Sequence, residues 1–261
     1  LVKNKSMDII HAVYLGIIEG VTEFLPISST GHLILASKIF QIPETEFLKS
    51  FEIIIQTGAI LAVIALYWRR LLLDRAVFLR VVVAFLPTGI LGLLLYKFIK
   101  IWLGSESIVV WSLLLGGIAL IVFERWHTTE REIHTDIASL SYKQVFLVGC
   151  FQSLAMIPGV SRSGATIVGG LALGFERSMI VEFSFLLAVP TMLAATGLDL
   201  LKNYKNFSGS DTGVLAVGFL VSFVVAWLSI KWLLSFVRNH TFTSFGVYRI
   251  VIALVFLFFM M

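Results

Sequence analysis

Apolar residues run along this chain in long blocks, and polar residues gather in the short gaps between them. A helix needs about 20 predominantly apolar residues to cross a bilayer. Six stretches fit that need: about 51–68, 77–97, 107–123, 178–201, 213–237 and 246–261. Two more, about 9–40 and 144–174, are apolar but broken by Pro26 and Pro158 and by small polar clusters. Each is long enough for two half-helices with a turn between them, which predicts re-entrant hairpins. Irregular backbone persists at membrane depth only where protein or a wet cavity covers it. Lipid-facing barrel strands would alternate over about ten residues, and these long blocks do not. The pattern predicts an all-α polytopic membrane protein, with six transmembrane helices and two re-entrant helical hairpins.

Composition agrees and excludes several classes. Of 261 residues, 58% are AVILMFWYC and only 14% are charged; the mean hydropathy is +0.96. A soluble domain carries roughly a quarter charged residues, so a soluble fold, a disordered chain, a nucleic-acid reader and a disulfide scaffold are all excluded. The single cysteine, Cys150, lies in an apolar run and has no partner for an internal bridge. The first six residues, LVKNKS, precede Met7 and read as a vector or tag remnant. The stretch after Asp8 holds His11, Glu19 and Glu23 and shows no cleavage pattern, so it does not read as a secretory signal. Residues 7–261 are expected to form one integral membrane domain.

Loop charge sets an expected orientation. Arg69, Arg70, Arg75 and Arg80 surround one connection, Arg125, Arg131 and Lys143 a second, and Arg238 and Arg249 a third. With six spans and two re-entrant hairpins these connections fall on one side. Lys97, Lys100, Lys202 and Lys205 fall on the other. The positive-inside rule makes the arginine-rich side cytoplasmic and turns both termini outward.

The two broken segments also resemble each other. Shifted by 133 positions, Gly16 falls on Gly149, Glu19 on Gln152, Ser28 on Ser161, Thr30 on Ser163 and Gly31 on Gly164. An apolar helix with an early acid follows each, at Phe51-Glu52 and Val181-Glu182. An odd number of spans separates the copies, so the second is upside down. This predicts an inverted-topology repeat, about 9–123 and 144–261, with a site near the midplane where broken helices meet.

Ionisable groups inside apolar segments are expensive and point to function. Glu19 and Glu23 stand four residues apart, on one helical face. Two carboxylates in low dielectric must share a proton, bind a cation or pair with an arginine; solvated acids at a helix end are the plainer reading. In Pro26–His32 (PISSTGH) the proline stops one helix and the Ser28, Ser29, Thr30 run can cap the next, whose N-terminal N–H groups bind anions. His32 lies three residues from Ser29, a nucleophile–base spacing, against the plainer reading of a capped helix start and a packed histidine. In Pro158–Thr166 (PGVSRSGAT), Gly159 and Gly164 permit close backbone approach. Ser161, Ser163 and Thr166 offer hydroxyls there, and Arg162 a permanent cation with a phosphate-matching fork. An arginine reaching for headgroups is the weaker alternative, because uncharged residues flank Arg162 on both sides for more than a dozen positions.

Together these clusters supply an anion cradle, two acids able to hold a divalent cation, hydroxyls and a histidine, the set that phosphoryl chemistry requires. No Walker A, Rossmann glycine fingerprint, HExxH or Cys/His metal spacing occurs. The rival class is a transporter or lipid flippase, because inverted repeats with broken helices serve transport too. Translocation would need the arginine but not the clustered serine, histidine and carboxylates.

At these residues the chain resembles the bacterial undecaprenyl-pyrophosphate phosphatases of the BacA/UppP type, the bacitracin resistance proteins. The likeness rests on EGVTEFLPISSTGH at Glu19–His32 and PGVSRSGAT at Pro158–Thr166, in matching order and spacing, and on the hydrophobic layout from Met7 onward. It implies removal of the terminal phosphate from undecaprenyl pyrophosphate, a polyprenyl pyrophosphate lipid, regenerating the carrier for peptidoglycan synthesis and conferring bacitracin resistance. It also implies a multi-pass protein of the bacterial cytoplasmic (inner) membrane, in contact with membrane lipid and with no nucleic-acid partner. The site would open to the outer, periplasmic face and use a divalent cation, Mg2+ or Ca2+; a homodimer is compatible with the likeness. Carried over residue by residue, Glu19 and Glu23 become metal or acid/base groups, Ser29 and His32 a nucleophile–base pair, and Arg162 a catalytic cation. Ser28, Thr30, Ser161, Arg162, Ser163, Gly164 and Thr166 become the phosphate cradle. Either Ser29 attacks phosphorus, with His32 taking its proton, and forms a phosphoserine, or a metal-bound water attacks directly with Glu23 or His32 as base. Both readings require the tips Ser28–His32 and Ser161–Thr166 to meet around one anion.

Overall fold

A computed structural model describes residues 7–103, 105–127, 134–203 and 212–260. The expected remnant at 1–6, Arg131 and Lys205 lie outside the described residues, as do the side chains of Lys97, Lys100 and Lys202.

The two expected broken segments are helix–turn–helix pairs. The first consists of α1 (Ile9–Thr22) and α2 (Ser29–Ile39), the second of α7 (Tyr142–Ser153) and α8 (Arg162–Ala172). Asp8 caps α1 and Ser141 caps α7, each in a reciprocal box with the residue three positions on, His11 and Gln144. At 1.5 Å rise per residue, helices of 11–14 residues reach only about 17–21 Å, well short of a hydrocarbon core about 30 Å thick. Neither half can span by itself.

The long elements are α3 (Glu46–Leu72), α4 (Arg75–Leu94), α6 (Glu106–Trp126), α9 (Arg177–Asn203) and α10 (Thr212–Val237). All five are long and apolar enough to cross a membrane. The sixth expected span is α11 (Thr243–Met260), an apolar helix whose stretch Thr243–Phe258 falls short of that length. The stretch expected to end near 97 breaks earlier, at Leu95, and a short α5 (Tyr96–Leu103) follows. The chain is an all-α polytopic membrane protein.

The two pairs enter from opposite ends of the bundle. At one end α1 begins and α2 finishes, with Tyr14 stacked on Phe40 at 5.4 Å. The starts of α1, α3 and α10 share an apolar cluster there (Met7, Ala12, Leu48, Val214), and Lys38 of α2 pairs with Glu106 of α6. At the other end α7 begins and α8 finishes, joined through His134, which bridges to Phe175 and bonds Gln144 at 2.8 Å. Arg70, Glu182 and Arg238 line one cavity at this end, and Arg177 grips Glu124 through both terminal nitrogens. The arginine-rich connections therefore do gather at one end, with one correction. Arg249, counted above as a loop cation, lies inside α11 and is only 2% exposed. The sequence gives it as the one charge in an apolar stretch, and its carbonyl partners, described below, are what let it stay there.

Packing exchanges partners between the halves. Helix α1 lies along α10, and α7 lies along α4. The contacts are close because of glycine. A Cβ at Gly16 would stand 2.8 Å from the Gly218 carbonyl of α10, and one at Gly149 would overlap the Ala84 carbonyl of α4. Small residues are what let helix backbones approach in lipid. These are the two glycines that coincide at the shift of 133.

Candidate active site at the meeting of two turns

Both turns deliver the next helix in the same unusual way. Ser28 precedes α2 with φ 70° and Ser161 precedes α8 with φ 61°. Positive φ is costly for a residue with a Cβ, and these two serines are the aligned pair. At Ser161 the side chain caps α8, accepting from Gly164 N–H at 3.2 Å. Ser28 makes no such side-chain cap; its carbonyl instead accepts from His32 Nδ1 at 2.7 Å. Each strained serine is thus fixed by a local bond.

The tips touch. Ser163 Oγ donates to the Leu25 carbonyl at 2.7 Å, and Ser161 Oγ lies 3.1 Å from Ser163 Oγ. Thr166 is fully buried and donates back to the Arg162 carbonyl at 2.8 Å. These three hydroxyls, expected to cradle phosphate, hold the second turn together and stitch it to the first. Gly164 stands next to the other tip: a Cβ there would meet Pro26 at 3.5 Å, an ordinary contact. Thr30 is half-buried in the first turn of α2.

Glu23 is where the two copies converge. Ser29, first residue of α2, donates its hydroxyl to one Glu23 oxygen. Arg162, first residue of α8, donates from Nη2 to the other at 3.1 Å. Arg162 also bonds the Ser184 carbonyl at 2.9 Å and lies over the Phe24 ring at 5.7 Å. Its Nε is buried without a partner among the described residues, leaving a charged donor open. Glu19 is 1% exposed, with Glu23, Glu52 and Arg162 as its charged neighbours, and its Oε1 is likewise unpartnered.

The expected Ser29–His32 pair is not formed. His32 points elsewhere: Nδ1 faces the Ser28 carbonyl and so must carry the proton, and Nε2 accepts from the Tyr248 hydroxyl at 2.9 Å, the rings parallel within 3°. The group in contact with the Ser29 hydroxyl is Glu23.

Two carboxylates with an open oxygen suit a hard divalent cation, which takes carboxylate, phosphate and water oxygens together. Among the described residues no group of three or more His, Cys, Asp or Glu side chains is assembled to hold a metal, so a phosphate ligand would have to complete the shell. The donor set fits on that condition.

Two residues of α11 were missed by the sequence reading. One is Tyr248, for which the pattern holds no signal. The other is Arg249, whose guanidinium donates to carbonyls of both turns, Pro26 at 3.2 Å and Gly159 at 2.9 Å. Its place inside an apolar stretch was the available signal.

The chain's full extent can be compared with known proteins. An undecaprenyl-diphosphatase of Sulfurihydrogenibium sp. (strain YO3AOP1) is 53% identical over 250 residues, covering 96% of this chain and 98% of the relative. One of Wolinella succinogenes is 50% identical over 97% of this chain and 99% of its own length. One of Aquifex aeolicus is 51% identical over 94% and 96%. The profile of the bacitracin resistance protein BacA family matches residues 12–255, which takes in both helix pairs except the first three residues of α1, both strained serines, and Tyr248 and Arg249 of α11. By that match, and by identity sustained from end to end, this chain belongs to the BacA family.

Proposed function

We propose that this chain is an undecaprenyl-diphosphatase, which hydrolyses undecaprenyl pyrophosphate to undecaprenyl phosphate and inorganic phosphate. Its product returns the lipid carrier to envelope synthesis, and this turnover gives bacitracin resistance. The observation that carries the reading is the convergence of Ser29 and Arg162, from two turns 133 positions apart, on Glu23. It joins a hydroxyl, an acceptor for its proton and a fixed cation at the N-termini of two short helices.

The chemistry follows from those contacts. The first-turn N–H groups of α2, and those of Arg162 and Ser163 in α8, have no intrahelical partners and face anions favourably; the Gly164 N–H is taken by the Ser161 side chain. With the open Arg162 Nε they hold the pyrophosphate. Ser29 Oγ attacks the terminal phosphorus and passes its proton to Glu23. The P–O bond to the lipid phosphate breaks, and undecaprenyl phosphate leaves with the electron pair. The departing phosphate takes that proton from Glu23. Water then attacks the phosphoserine and gives its proton to the Glu23 carboxylate; the P–Oγ bond breaks, Ser29 Oγ leaves with the electron pair and regains a proton from Glu23, and inorganic phosphate is released. Arg162 stabilises the charge on the equatorial oxygens throughout. Glu19 and Glu23 would hold a divalent cation, which when bound neutralises phosphate charge. His32 orients the Ser28 peptide and so the Ser29 hydroxyl.

The arginine-rich end lies in the cytoplasm by the positive-inside rule, so the end where α1 begins faces outward from the bacterial inner membrane. The polyprenyl tail stays in lipid, and only the pyrophosphate enters the polar centre. The test is phosphate release from undecaprenyl pyrophosphate by purified protein in detergent, with and without chelator. Release that stops in chelator is expected. Full release in excess chelator would remove the cation, and lipid transfer between leaflets without release would replace hydrolysis by translocation.

A further inference from the structure

Arg249 is buried to 2% exposure in the middle of the molecule. Burying a charge is costly unless hydrogen bonds satisfy it. Among the described residues its guanidinium bonds only carbonyl oxygens. A guanidinium has five N–H donors in a fixed fork, and five carbonyls receive them. Nε donates to Leu113 at 3.4 Å. Nη1 donates to Pro26 at 3.2 Å and Val160 at 3.5 Å, and Nη2 to Ser112 and Gly159 at 2.9 Å each.

The distribution of those five acceptors is informative. An arginine that merely tied α11 to α6 would need only Ser112 and Leu113. The other three acceptors belong to the turns, Pro26 to the first and Gly159 and Val160 to the second. Since the C=O and N–H of a trans peptide point in opposite directions, a Val160 carbonyl turned toward Arg249 sends the Ser161 N–H the other way. Glycine makes room for the arrangement: a Cβ on Gly116 would overlap the guanidinium, with Cζ only 2.8 Å away.

We infer that Arg249 is a positioning residue that holds the two turns in register from behind, so that Ser29 of one and Arg162 of the other both reach Glu23. It touches no reacting atom in this account. It acts through backbone carbonyls, and lysine, with three donors, cannot reproduce all five bonds. The activity arm of its test rests on the phosphatase reading above; the structural arm does not.

The experiment compares the full-length wild type with Arg249→Met, Arg249→Lys and Gly116→Ala. One readout is backbone hydrogen–deuterium exchange over residues 24–31 and 157–165. The other is the steady-state release of phosphate from undecaprenyl pyrophosphate. Arg249→Met is expected to speed exchange in both turns together and to lower kcat about a hundredfold, the scale of a misplacement near 1 Å, with KM changed less than about threefold. Arg249→Lys should recover part of both effects. Gly116→Ala keeps the charge and displaces the fork, so it should shift both readouts in the Met direction; it carries the test if Arg249→Met does not fold. Wild-type kcat in folded Arg249→Met, or loosening of α6 and α11 with the turns unchanged, would overturn the inference. If the wild type releases no phosphate, the functional reading fails and the exchange data alone decide the role of Arg249.

Discussion

The two turns share a backbone and divide the chemistry. Both place a serine at positive φ before an 11-residue helix, at Ser28 and Ser161. Yet where the first copy has Glu19, the second has Gln152; where the first has Ser29, the second has Arg162. The acid–hydroxyl half therefore comes from one copy and the cation from the other. Gln152 shows what becomes of the unused position. It is 1% exposed, and its amide donates to Thr88 at 2.9 Å and Thr191 at 3.0 Å. A neutral amide whose nitrogen is held by two hydroxyls stands where the first copy keeps a carboxylate; Oε1 of each is buried without a partner among the described residues, so the difference between the positions is one of charge. Similar turn geometry thus brings two helix N-termini to one point, and the different residues there make the point asymmetric.

The largest effect should separate the copies outright. Ser29→Ala and Glu23→Gln are each expected to lower kcat/KM about a thousandfold or more, as removal of a nucleophile or its partner does. Met156→Ala, at the position matching Glu23, should change it less than about threefold. A loss of only tenfold to a hundredfold in Ser29→Ala would assign the attack to water; a phosphopeptide containing Ser29 after a rapid quench would assign it to serine. Next comes Arg162→Lys, which keeps charge but loses the planar fork. It should cost about a hundredfold in kcat/KM, and full activity would reduce Arg162 to a simple point charge.

Smaller effects test the structural half. Gln152→Glu puts an acid where only donors are wanted, and should cost about 1–3 kcal/mol of stability. It is read as a lower midpoint in thermal unfolding, with phosphate release per folded molecule unchanged. A gain of activity instead would mean that the second copy retains a latent site. Lys38→Met, which breaks a part-exposed pair with Glu106, should cost less than about 1 kcal/mol and leave kcat unaltered.

Much of this was legible in the chain, and for physical reasons. A proline beside a small polar cluster breaks the helix at Pro26 and Pro158, whereas Pro87 and Pro190, without such clusters, lie inside α4 and α9; that combination made both pairs and the shift of 133 readable. Charges in apolar runs are costly, so Glu19, Glu23 and Arg162 stood out. Hydrogen-bond partners chosen across the fold were not legible. His32 lies beside Ser29 in sequence, but its bonds run to Ser28 and, 216 residues away, to Tyr248. Ser163 finds Leu25 at a separation of 138, and Arg249 finds Pro26 at 223. Serine at positive φ is not a preference of the residue type, so no propensity announces Ser28 or Ser161. Arg249 misled the orientation count because loop arginines and buried ones look alike until their acceptors are known.

The central claim is that residues from the two copies form one site through Glu23, and a double-mutant cycle on Ser29 and Arg162 tests it most directly. kcat/KM for undecaprenyl pyrophosphate would be measured for wild type, Ser29→Ala, Arg162→Lys and the double variant. Groups acting as a unit are strongly non-additive. The double variant should be little worse than the poorer single variant. Losses that multiply in full would mean that Ser29 and Arg162 act independently, and would contradict a shared site.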